Sequence, residues 1–535
     1  MFFFYPLWRI LEVSLVSPPG GGAGLPGIIA EPVYPRVIWF TAWQAAASTV
    51  LTLAAGLPGA YVYARYRFFG KRLLYALTAV PFVLPSVVVA SGFKALLGPR
   101  GVLNTWAMGA FHMEAPPIRI EHTIWFILLA HVFYNHAVVV RIVGGFWSRL
   151  PPSLAQAART LGASPLKVFT GVTLPLLVPA LAAASMLVFT FCFSSFGVIL
   201  ILGGPRFATI EVEIYRQAVH LFDLKTAGVL SLIQIGFALA FLGFYTGLMR
   251  RTAHQFSPHP HELSQRPPSS AKDYALLFGN GMVVLALLVA PMAALAFQSV
   301  HGPDGLTLDY YRRLFENTTD GLFIVSPLKA LVSSVSFASA TLVVSLVLGL
   351  ATAIHLSRDK GVFSRILDPV LMLPLATSAV TLGLGFVVAF DEPPLNLRRS
   401  VILVPIAHTL VAYPFVVRSL LPSLRGIPSS LREAAYTLGA SPARTFVSVI
   451  LPIVSRALAV GAVFAFTMSI GEFGATLFVA RPANPTMTLA VYRYLSQPGD
   501  LNYGCAMAMS TLLMAVTTAG FLFLERVRFT GEGEL

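Results

Sequence analysis

Charged residues are scarce in this chain. Of its 535 residues, 11% are Asp, Glu, Lys or Arg and 56% are hydrophobic, and the mean hydropathy is +0.76. Soluble domains carry about 25% charged residues. The composition therefore excludes an ordinary water-soluble protein and indicates one whose main surrounding is the lipid bilayer.

Cysteine is almost absent. Cys192 and Cys505 lie in separate apolar runs, which excludes a disulfide framework and indicates two buried, small hydrophobic side chains. His254, His259 and His261 stand close together, but no set of Cys or carboxylate ligands accompanies them. We therefore predict no metal site in this chain.

Acidic residues are fewer than basic ones, 23 against 37, which gives a net charge of +14. The Lys and Arg residues concentrate in alternate connections between apolar segments, which is typical of membrane-protein loops that face the cytoplasm. This placement excludes nucleic acid as the expected partner.

The apolar residues form twelve segments, six in each half of the chain. A helix needs about 20 apolar residues to cross a bilayer, and its backbone polar groups are then satisfied internally. We predict an all-α polytopic membrane protein with about twelve transmembrane helices. The segments lie near residues 1–16, 38–66, 73–97, 123–147, 173–203, 226–248, 274–298, 328–356, 366–390, 400–421, 450–480 and 503–524.

The first segment is short for a span. Aligning Tyr5-Pro6-Leu7 with Ala290-Pro291-Met292 shows that the seventh segment has many more apolar residues before its proline than the first. We expect that the printed sequence begins inside its first transmembrane helix, as a start codon assigned too far downstream would cause.

The charge pattern also predicts topology. Basic connections follow even-numbered segments, whereas residues 17–37 contain one basic residue, Arg36. Even connections and both termini are therefore predicted to be cytoplasmic. Six segments per half give the halves one orientation, as in a parallel repeat. The predicted units are a first transmembrane domain, a polar, proline-rich cytoplasmic linker and a second transmembrane domain, over residues 1–249, 250–273 and 274–535.

Two stretches of the chain repeat each other. Residues 154–165 match residues 431–442 at an offset of 277 (433 − 156), and Leu174-Pro175 matches Leu451-Pro452 at the same offset. An internal repeat indicates a duplicated architecture. Both copies lie in connections predicted to be cytoplasmic.

Each repeated stretch is predicted to be a helix–glycine turn–helix hairpin. In the second copy, Ser429 or Ser430 is placed to cap the first helix, Gly439 to end it in a left-handed conformation, and Ser441-Pro442 to begin the next. The first copy offers the same interpretation, with Ser153, Gly162, Ser164 and Pro165. An ordinary interfacial hairpin is the alternative.

This repeated pattern resembles the EAA loop in the membrane subunits of ATP-binding-cassette importers. The consensus is Glu-Ala-Ala, three residues and Gly, followed by a run that ends in Leu-Pro. The resemblance implies that each loop inserts a coupling helix into an ATPase subunit. The matching residues are Glu433, Ala434, Ala435 and Gly439 in the second copy, and Ala157, Ala158 and Gly162 in the first, where Gln156 replaces the acid.

The chain contains no Gly-x-x-x-x-Gly-Lys-Ser/Thr motif to cradle nucleotide phosphates. We therefore expect a transport subunit of the bacterial or archaeal cell (inner) membrane that is not an enzyme and binds no cofactor. The resemblance implies two copies of a partner ATPase, which bind ATP and Mg, and an extracytoplasmic solute-binding protein. An ion-coupled secondary transporter or a membrane enzyme is the alternative, but the paired loops and the lack of a catalytic constellation argue against them.

The similarity between the halves extends beyond the loops. Residues 189–197 align with residues 466–474 at the same offset, and residues 202–215 resemble the corresponding segment of bacterial thiamine importer permeases. Fused halves also occur in the related ferric-iron and some polyamine-type permeases. The resemblance implies transport of thiamine or a phosphorylated form, with ferric iron or another small solute as the alternative.

A substrate pathway is predicted where the aligned segments carry polar and aromatic residues. Glu472 would balance a cationic substrate, since an ionisable group inside a span is a functional candidate, and the phenylalanines would stack on its rings. The alternative is that Glu472 pairs with an Arg or His for packing. His131 and His408 are expected to be interhelical hydrogen bonders. The candidate pathway residues are Ser194, Ser195, Phe196, Ser469, Glu472 and Phe473.

Overall fold

The structure is a computed structural model of the 535-residue chain. It describes residues 1–15, 27, 30–252, 265–303, 305–316, 326–358, 361, 370–371, 373–374, 377–391, 395–398 and 400–529. The three linker histidines and half of the predicted linker, residues 253–264, lie outside these residues.

The longer secondary-structure elements of the first half are all α-helices. Its helices are α1 Phe4–Leu15, α2 Val33–Arg65, α3 Lys71–Val83, α4 Ser86–Leu97, α5 Val102–Phe111, α6 Ile124–Trp147, α7 Pro152–Thr160, α8 Pro165–Val168, α9 Leu174–Phe193, α10 Gly197–Leu202, α11 Ile210–Tyr215 and α12 Leu224–Thr252.

The helices of the second half follow a similar order, and its described residues include a short antiparallel hairpin of β1 His301–Gly302 and β2 Gly305–Leu306. Its helices are α13 Ala271–Val283, α14 Ala290–Gln298, α15 Asp309–Phe315, α16 Pro327–Arg358, α17 Ala379–Phe390, α18 Leu403–Arg425, α19 Ser429–Thr437, α20 Pro442–Thr445, α21 Leu451–Gly471, α22 Gly474–Val479, α23 Met487–Leu495 and α24 Asp500–Phe529.

The all-α polytopic prediction is confirmed. In the part of the chain that the structure describes, ten helical stretches are long and apolar enough to cross a membrane. Two other predicted segments, near 1–16 and 366–390, correspond to the 12-residue helices α1 and α17, and part of the latter segment lies outside the described residues. The segment 73–97 is two helices, because Leu84 takes an extended ψ of 140° before Pro85.

The two halves pack in the same way. Thr41 Oγ1 of α2 accepts a hydrogen bond from Ile210 N at 3.0 Å, and Ser334 Oγ of α16 accepts one from Met487 N at 2.8 Å. The acceptors are 293 positions apart (334 − 41), whereas the donors are 277 apart (487 − 210). Most of the difference between the two offsets arises after α4, because the connection that contains α5 spans residues 98–123, whereas the equivalent connection between α17 and α18 spans only residues 391–402.

The halves also exchange their first helices. A Cβ atom on Gly92 of α4 would lie 3.1 Å from Pro291 O of α14, and one on Gly385 of α17 would lie 3.0 Å from Pro6 Cβ of α1. The opening helix of each half therefore packs on the other half, and a glycine allows the close approach at both places.

The end of the linker is fixed to the connection after α2. Arg266 N donates to Arg65 O at 2.9 Å, and Arg67 N donates to Arg266 O at 3.0 Å. The Arg266 guanidinium lies over the Tyr66 ring, and the Tyr66 hydroxyl donates to Asp273 Oδ1 at 2.7 Å. Burial raises the pKa of Tyr66, so this hydroxyl stays protonated and remains a donor.

Candidate functional site

The second repeated stretch forms the predicted hairpin. Helix α19 ends at Thr437, and Gly439 has a φ of +81°, in the left-handed region that favours glycine. Ala440 N donates to Ala435 O at 3.0 Å and closes the turn. Ser441 Oγ then accepts a hydrogen bond from Arg444 N at 3.3 Å and caps α20, as predicted.

The first repeated stretch has the same geometry. Gly162 has a φ of +82°, Ala163 N donates to Ala158 O at 3.0 Å, and Ser164 Oγ accepts from Lys167 N at 3.5 Å. We name residues 152–168 and 429–445 the first and second hairpins. Their agreement shows that one backbone design is built twice.

The predicted caps of the two leading helices are wrong. Helix α19 starts at Ser429 after Pro428, and α7 starts at Pro152 after Pro151, with no side-chain cap at either end. Ser153 therefore lies inside α7, and Ser429 and Ser430 lie inside α19. Pro151 and Pro428 have extended ψ angles of 126° and 141° and precede the first helical residue. Each helix therefore starts one residue earlier than it would if a serine were its cap.

The hairpins present exposed side chains. Gln156, Ala157, Glu433 and Ala434 are exposed, Ala158 is half-buried and Ala435 is buried. Sequence reasoning did not single out the leucine before each glycine. Leu161 and Leu438 are each 88% exposed. Hiding a leucine from water is worth about 1.5–3 kcal/mol, so a large apolar side chain left bare at the same place in both hairpins is suited to contact a partner.

Each hairpin joins its membrane helix through a π-turn. The turns span Phe169–Thr173 and Phe446–Ile450, directly before the repeated Leu-Pro pairs. Proline lacks an N–H group, and its ring clashes with the carbonyl four residues earlier. The wider turn accommodates it: Leu174 N donates to Phe169 O, five residues back. The two Leu-Pro pairs therefore mark where the hairpins continue into α9 and α21.

The candidate pathway residues lie at the opposite ends of these helices. Ser194, Ser195 and Phe196 occupy the break between α9 and α10, and Glu472 and Phe473 occupy the break between α21 and α22. Ser469 stands in the last turn of α21. The structure thus brings all six residues to two equivalent helix breaks.

Aromatic side chains close the space between the breaks. The rings of Phe196 and Phe473 are buried and stacked, with centroids 5.6 Å apart. Tyr215 lies 5.7 Å from Phe196, and Tyr492 lies 5.4 Å from Phe473. Both pairs are related by the 277-residue offset. We name these four residues the aromatic seal; it joins the two halves at the end of the molecule away from the hairpins.

Glu472 is buried and held by its own half. Its carboxylate accepts hydrogen bonds from Ala475 N and Thr476 N at 2.8 Å each, at the start of α22, and one oxygen lies 3.3 Å from His408 Nε2. His408 Nδ1 contacts Ser469 Oγ at 2.7 Å. The carboxylate thus neutralises the positive end of a helix.

The first half forms the corresponding contact without an acid. His131 Nε2 contacts Ser195 Oγ at 2.9 Å, and its Nδ1 contacts Ser48 Oγ at 2.9 Å. Ser194 Oγ donates to Thr190 O within its own helix. The prediction that His131 and His408 are interhelical hydrogen bonders is confirmed. Ser195 and Glu472 occupy equivalent positions, so the two helix breaks differ chemically here.

A cavity of about 550 Å³ lies between the halves, among residues toward the hairpin ends of the helices. Leu187 of α9 and Phe464 of α21, which are repeat equivalents, both line it. Its cationic residues are Arg141 of α6 and Arg456 of α21. The sequence does not single out either residue: Arg141 has the repeat equivalent Arg418, whereas the repeat position of Arg456 is Pro179, and no motif marks it.

The sequence model of the family described as "Binding-protein-dependent transport system inner membrane component" matches residues 50–254 and 345–528, together more than half of the chain. The chain belongs to this family. It is therefore the permease of an ATP-binding-cassette importer, a multi-pass subunit of the inner membrane. Permeases of this family work with an ATPase and a binding protein.

Several curated relatives match along most of the chain. The thiamine transport system permease protein of Brucella abortus (strain 2308) is 27% identical over 96% of this chain and 91% of its own length. The corresponding protein of Escherichia coli (strain K12) is 26% identical, with 90% and 88% covered. The ferric transport system permease protein of Actinobacillus pleuropneumoniae is 25% identical, with 89% and 68% covered.

Among solved structures, a bacterial ABC transporter involved in the import of the acidic polysaccharide alginate aligns with 48% of this chain and 91% of that chain, at 17% identity. The TM-score of this alignment is 0.39.

Proposed function

We propose that this permease translocates thiamine or a phosphorylated form of thiamine, delivered by an extracytoplasmic binding protein. The support for this proposal comes from the relatives that match nearly end to end, because several of them are thiamine transport permeases. Ferric iron is the second candidate, because a ferric transport permease also matches over most of the chain.

We further propose that each hairpin binds one copy of a partner ATPase, which binds ATP and Mg, while this chain binds no cofactor and catalyses no reaction. The support is the duplicated hairpin, with Leu161 and Leu438 equally exposed. A secondary transporter has no use for two such matched surfaces. Both hairpins and both termini would then face the cytoplasm, as the basic connections indicate.

The proposed coupling runs along single helices. The 20-residue helix α9 starts at the first hairpin and ends at the break that carries Phe196, and α21 links the second hairpin with Phe473 in the same way. A helix of this length spans about 30 Å at 1.5 Å per residue. Movement of the two hairpins on nucleotide-driven closure would therefore reach the aromatic seal directly and separate its halves.

The proposal is tested by uptake into proteoliposomes that contain this chain with an ATPase and a binding protein of the same organism's importer. We expect ATP-dependent uptake of labelled thiamine, and none when the ATPase is left out. Uptake of ferric iron but not thiamine would transfer the assignment to the second candidate. Uptake that continues without the ATPase would contradict the proposed coupling.

A further inference from the structure

We propose that the turn between α2 and α3 is a docking site for anionic phospholipid on the membrane face that carries the hairpins. We name residues 67–73 the basic turn. Phe69 and Leu73 insert among the lipid headgroups, and Arg67 and Arg72 bind lipid phosphates. The basic turn belongs neither to the hairpins nor to the candidate pathway, so this proposal is independent of the transported solute.

The basic turn lies at the end of a membrane helix. Helix α2 is long and apolar enough to cross a bilayer, and it ends at Arg65. Arg65 Nη1 donates a hydrogen bond to Leu150 O at 3.5 Å, and the first hairpin starts two residues after Leu150. The basic turn therefore stands at the hairpin end of the molecule, at the level where α2 leaves the lipid.

Two large apolar side chains of the basic turn are uncovered. Phe69 is fully exposed and Leu73 is 66% exposed, whereas the neighbouring Phe68 points inward, with its ring centroid 6.3 Å from that of Tyr63. Aromatic side chains next to the ends of membrane helices are typical of the membrane–water interface. Lipid is therefore the surrounding that covers Phe69 and Leu73 at this level.

The charge of the basic turn has one sign. Residues 32–113 contain no Asp or Glu. Arg67 and Arg72 are exposed, and neither forms an ion pair with another residue that the structure describes. The carboxylate of Asp273 reaches this connection but is bonded to Arg266. Basic residues beside a membrane helix attract anionic lipids, and a guanidinium donates two parallel hydrogen bonds to a phosphate.

The backbone of the basic turn is held in place before any lipid binds. Gly70 has a φ of +78° and precedes α3. Lys71 Nζ donates to Tyr66 O at 2.8 Å, and Arg67 N donates to Arg266 O at 3.0 Å. Lys71 thus stabilises the turn itself. A surface that is already ordered loses little conformational entropy when it binds.

The first test measures whether lipid covers the apolar side chains. The two natural cysteines are buried, so Phe69→Cys and Leu73→Cys each add one accessible thiol. We expect a water-soluble maleimide to label both about tenfold more slowly than Leu161→Cys in nanodiscs of phosphatidylcholine and phosphatidylglycerol. Leu161 is the control because it is 88% exposed and lies in the first hairpin. Equal labelling rates for the three variants would overturn the proposal.

The second test measures the affinity of the purified full chain for phosphatidylglycerol by native mass spectrometry. We expect Phe69→Ser to weaken binding about tenfold, and Arg67→Gln and Arg72→Gln to weaken it about fivefold each. Arg119→Gln removes the same charge from an exposed residue in the connection after α4, at the opposite end of the helices, and should bind as wild type.

The control variants and lipids make the proposal refutable. An equal loss in Arg119→Gln would show a diffuse attraction between the chain and lipid and would overturn a defined site, as would equal affinities for phosphatidylglycerol and phosphatidylcholine. The partner ATPase is the other possible occupant of this surface. If Phe69→Ser lowered affinity for the ATPase in nanodiscs and left phosphatidylglycerol binding unchanged, the basic turn would be an ATPase contact and the proposal would be wrong.

Discussion

At the residue scale, the sharpest difference between the halves is Ser195 against Glu472. Burying a carboxylate is costly unless it is hydrogen-bonded, and Glu472 is bonded by two backbone N–H groups and lies beside His408. Ser195, which carries no charge, hydrogen-bonds to His131, the repeat equivalent of His408. These contacts favour the interpretation that Glu472 stabilises the packing of its own half. The sequence left this question open, because it does not identify Thr476 as a partner of the carboxylate.

Glu472→Gln should reduce stability more than Ser195→Ala. The amide replaces a charged acceptor at the start of α22, and charge-assisted hydrogen bonds contribute about 1.5–3 kcal/mol against about 0.5–1.5 kcal/mol for neutral ones. Thermal unfolding of the purified variants in one detergent measures the difference. Equal melting temperatures for Glu472→Gln and wild type would contradict the packing role and return Glu472 to the substrate pathway.

Leu161→Ser and Leu438→Ser should weaken binding of the ATPase without lowering stability. Both side chains are almost fully exposed, so their removal leaves no cavity, whereas covering a leucine by a partner contributes about 1.5–3 kcal/mol, or roughly tenfold or more in affinity. Titration of the ATPase against the permease in nanodiscs measures this. Leu306→Ser is the control, because Leu306 is 79% exposed but lies in β2, outside the hairpins. Wild-type affinity for both hairpin variants would argue against the coupling surface.

At the element scale, the hairpins show what local sequence can and cannot predict. The left-handed glycine and the Ser-Pro start of the second helix depend on a few neighbouring residues, and both were predictable. The start of the first helix was not predictable, because proline and serine are both common at helix starts. In the structure the helix begins at Ser429, directly after Pro428. The π-turns form where a proline ring would otherwise clash with the carbonyl four residues earlier. The Leu-Pro pair alone does not predict such a turn from the sequence.

Gly439→Pro should abolish coupling, whereas Gly439→Asn should largely retain it. Proline requires a φ near −65° and has no N–H, but Gly439 has a φ of +81° and its N donates to Tyr436 O at 2.9 Å. Asparagine tolerates the left-handed region and keeps the N–H. Substrate-stimulated ATP hydrolysis by the partner measures coupling, and a melting temperature near wild type shows that the membrane helices are intact. Full stimulation in Gly439→Pro would refute the role of the turn.

At the scale of the whole molecule, the duplication was predictable and the exchange of helices was not. The offset of 277 is visible in the sequence because nine of the twelve residues in 154–165 recur in 431–442. The offset of 293 that relates α2 to α16 is hidden, since most of the equivalent residues differ in type and the identical ones are scattered. A Cβ on Gly56 would lie 2.8 Å from Val139, and one on Gly349 would lie 2.6 Å from Val416. Only the three-dimensional contact shows these pairs to be equivalent.

The exchanged helices predict that the halves assemble without a covalent link. If residues 1–258 and 259–535 are expressed together as separate chains, α1 still has its site on α17, and α14 still has its site on α4. A tag on the first chain should therefore recover the second from detergent-solubilised membranes. Gly385→Phe and Gly92→Phe should each lower this recovery, because a large side chain would displace Pro6 or Pro291, whereas Gly109→Phe, at an open position on α5, should not. If the linker alone held the halves together, the separate chains would not copurify, and the two cross-half contacts would then contribute little to assembly.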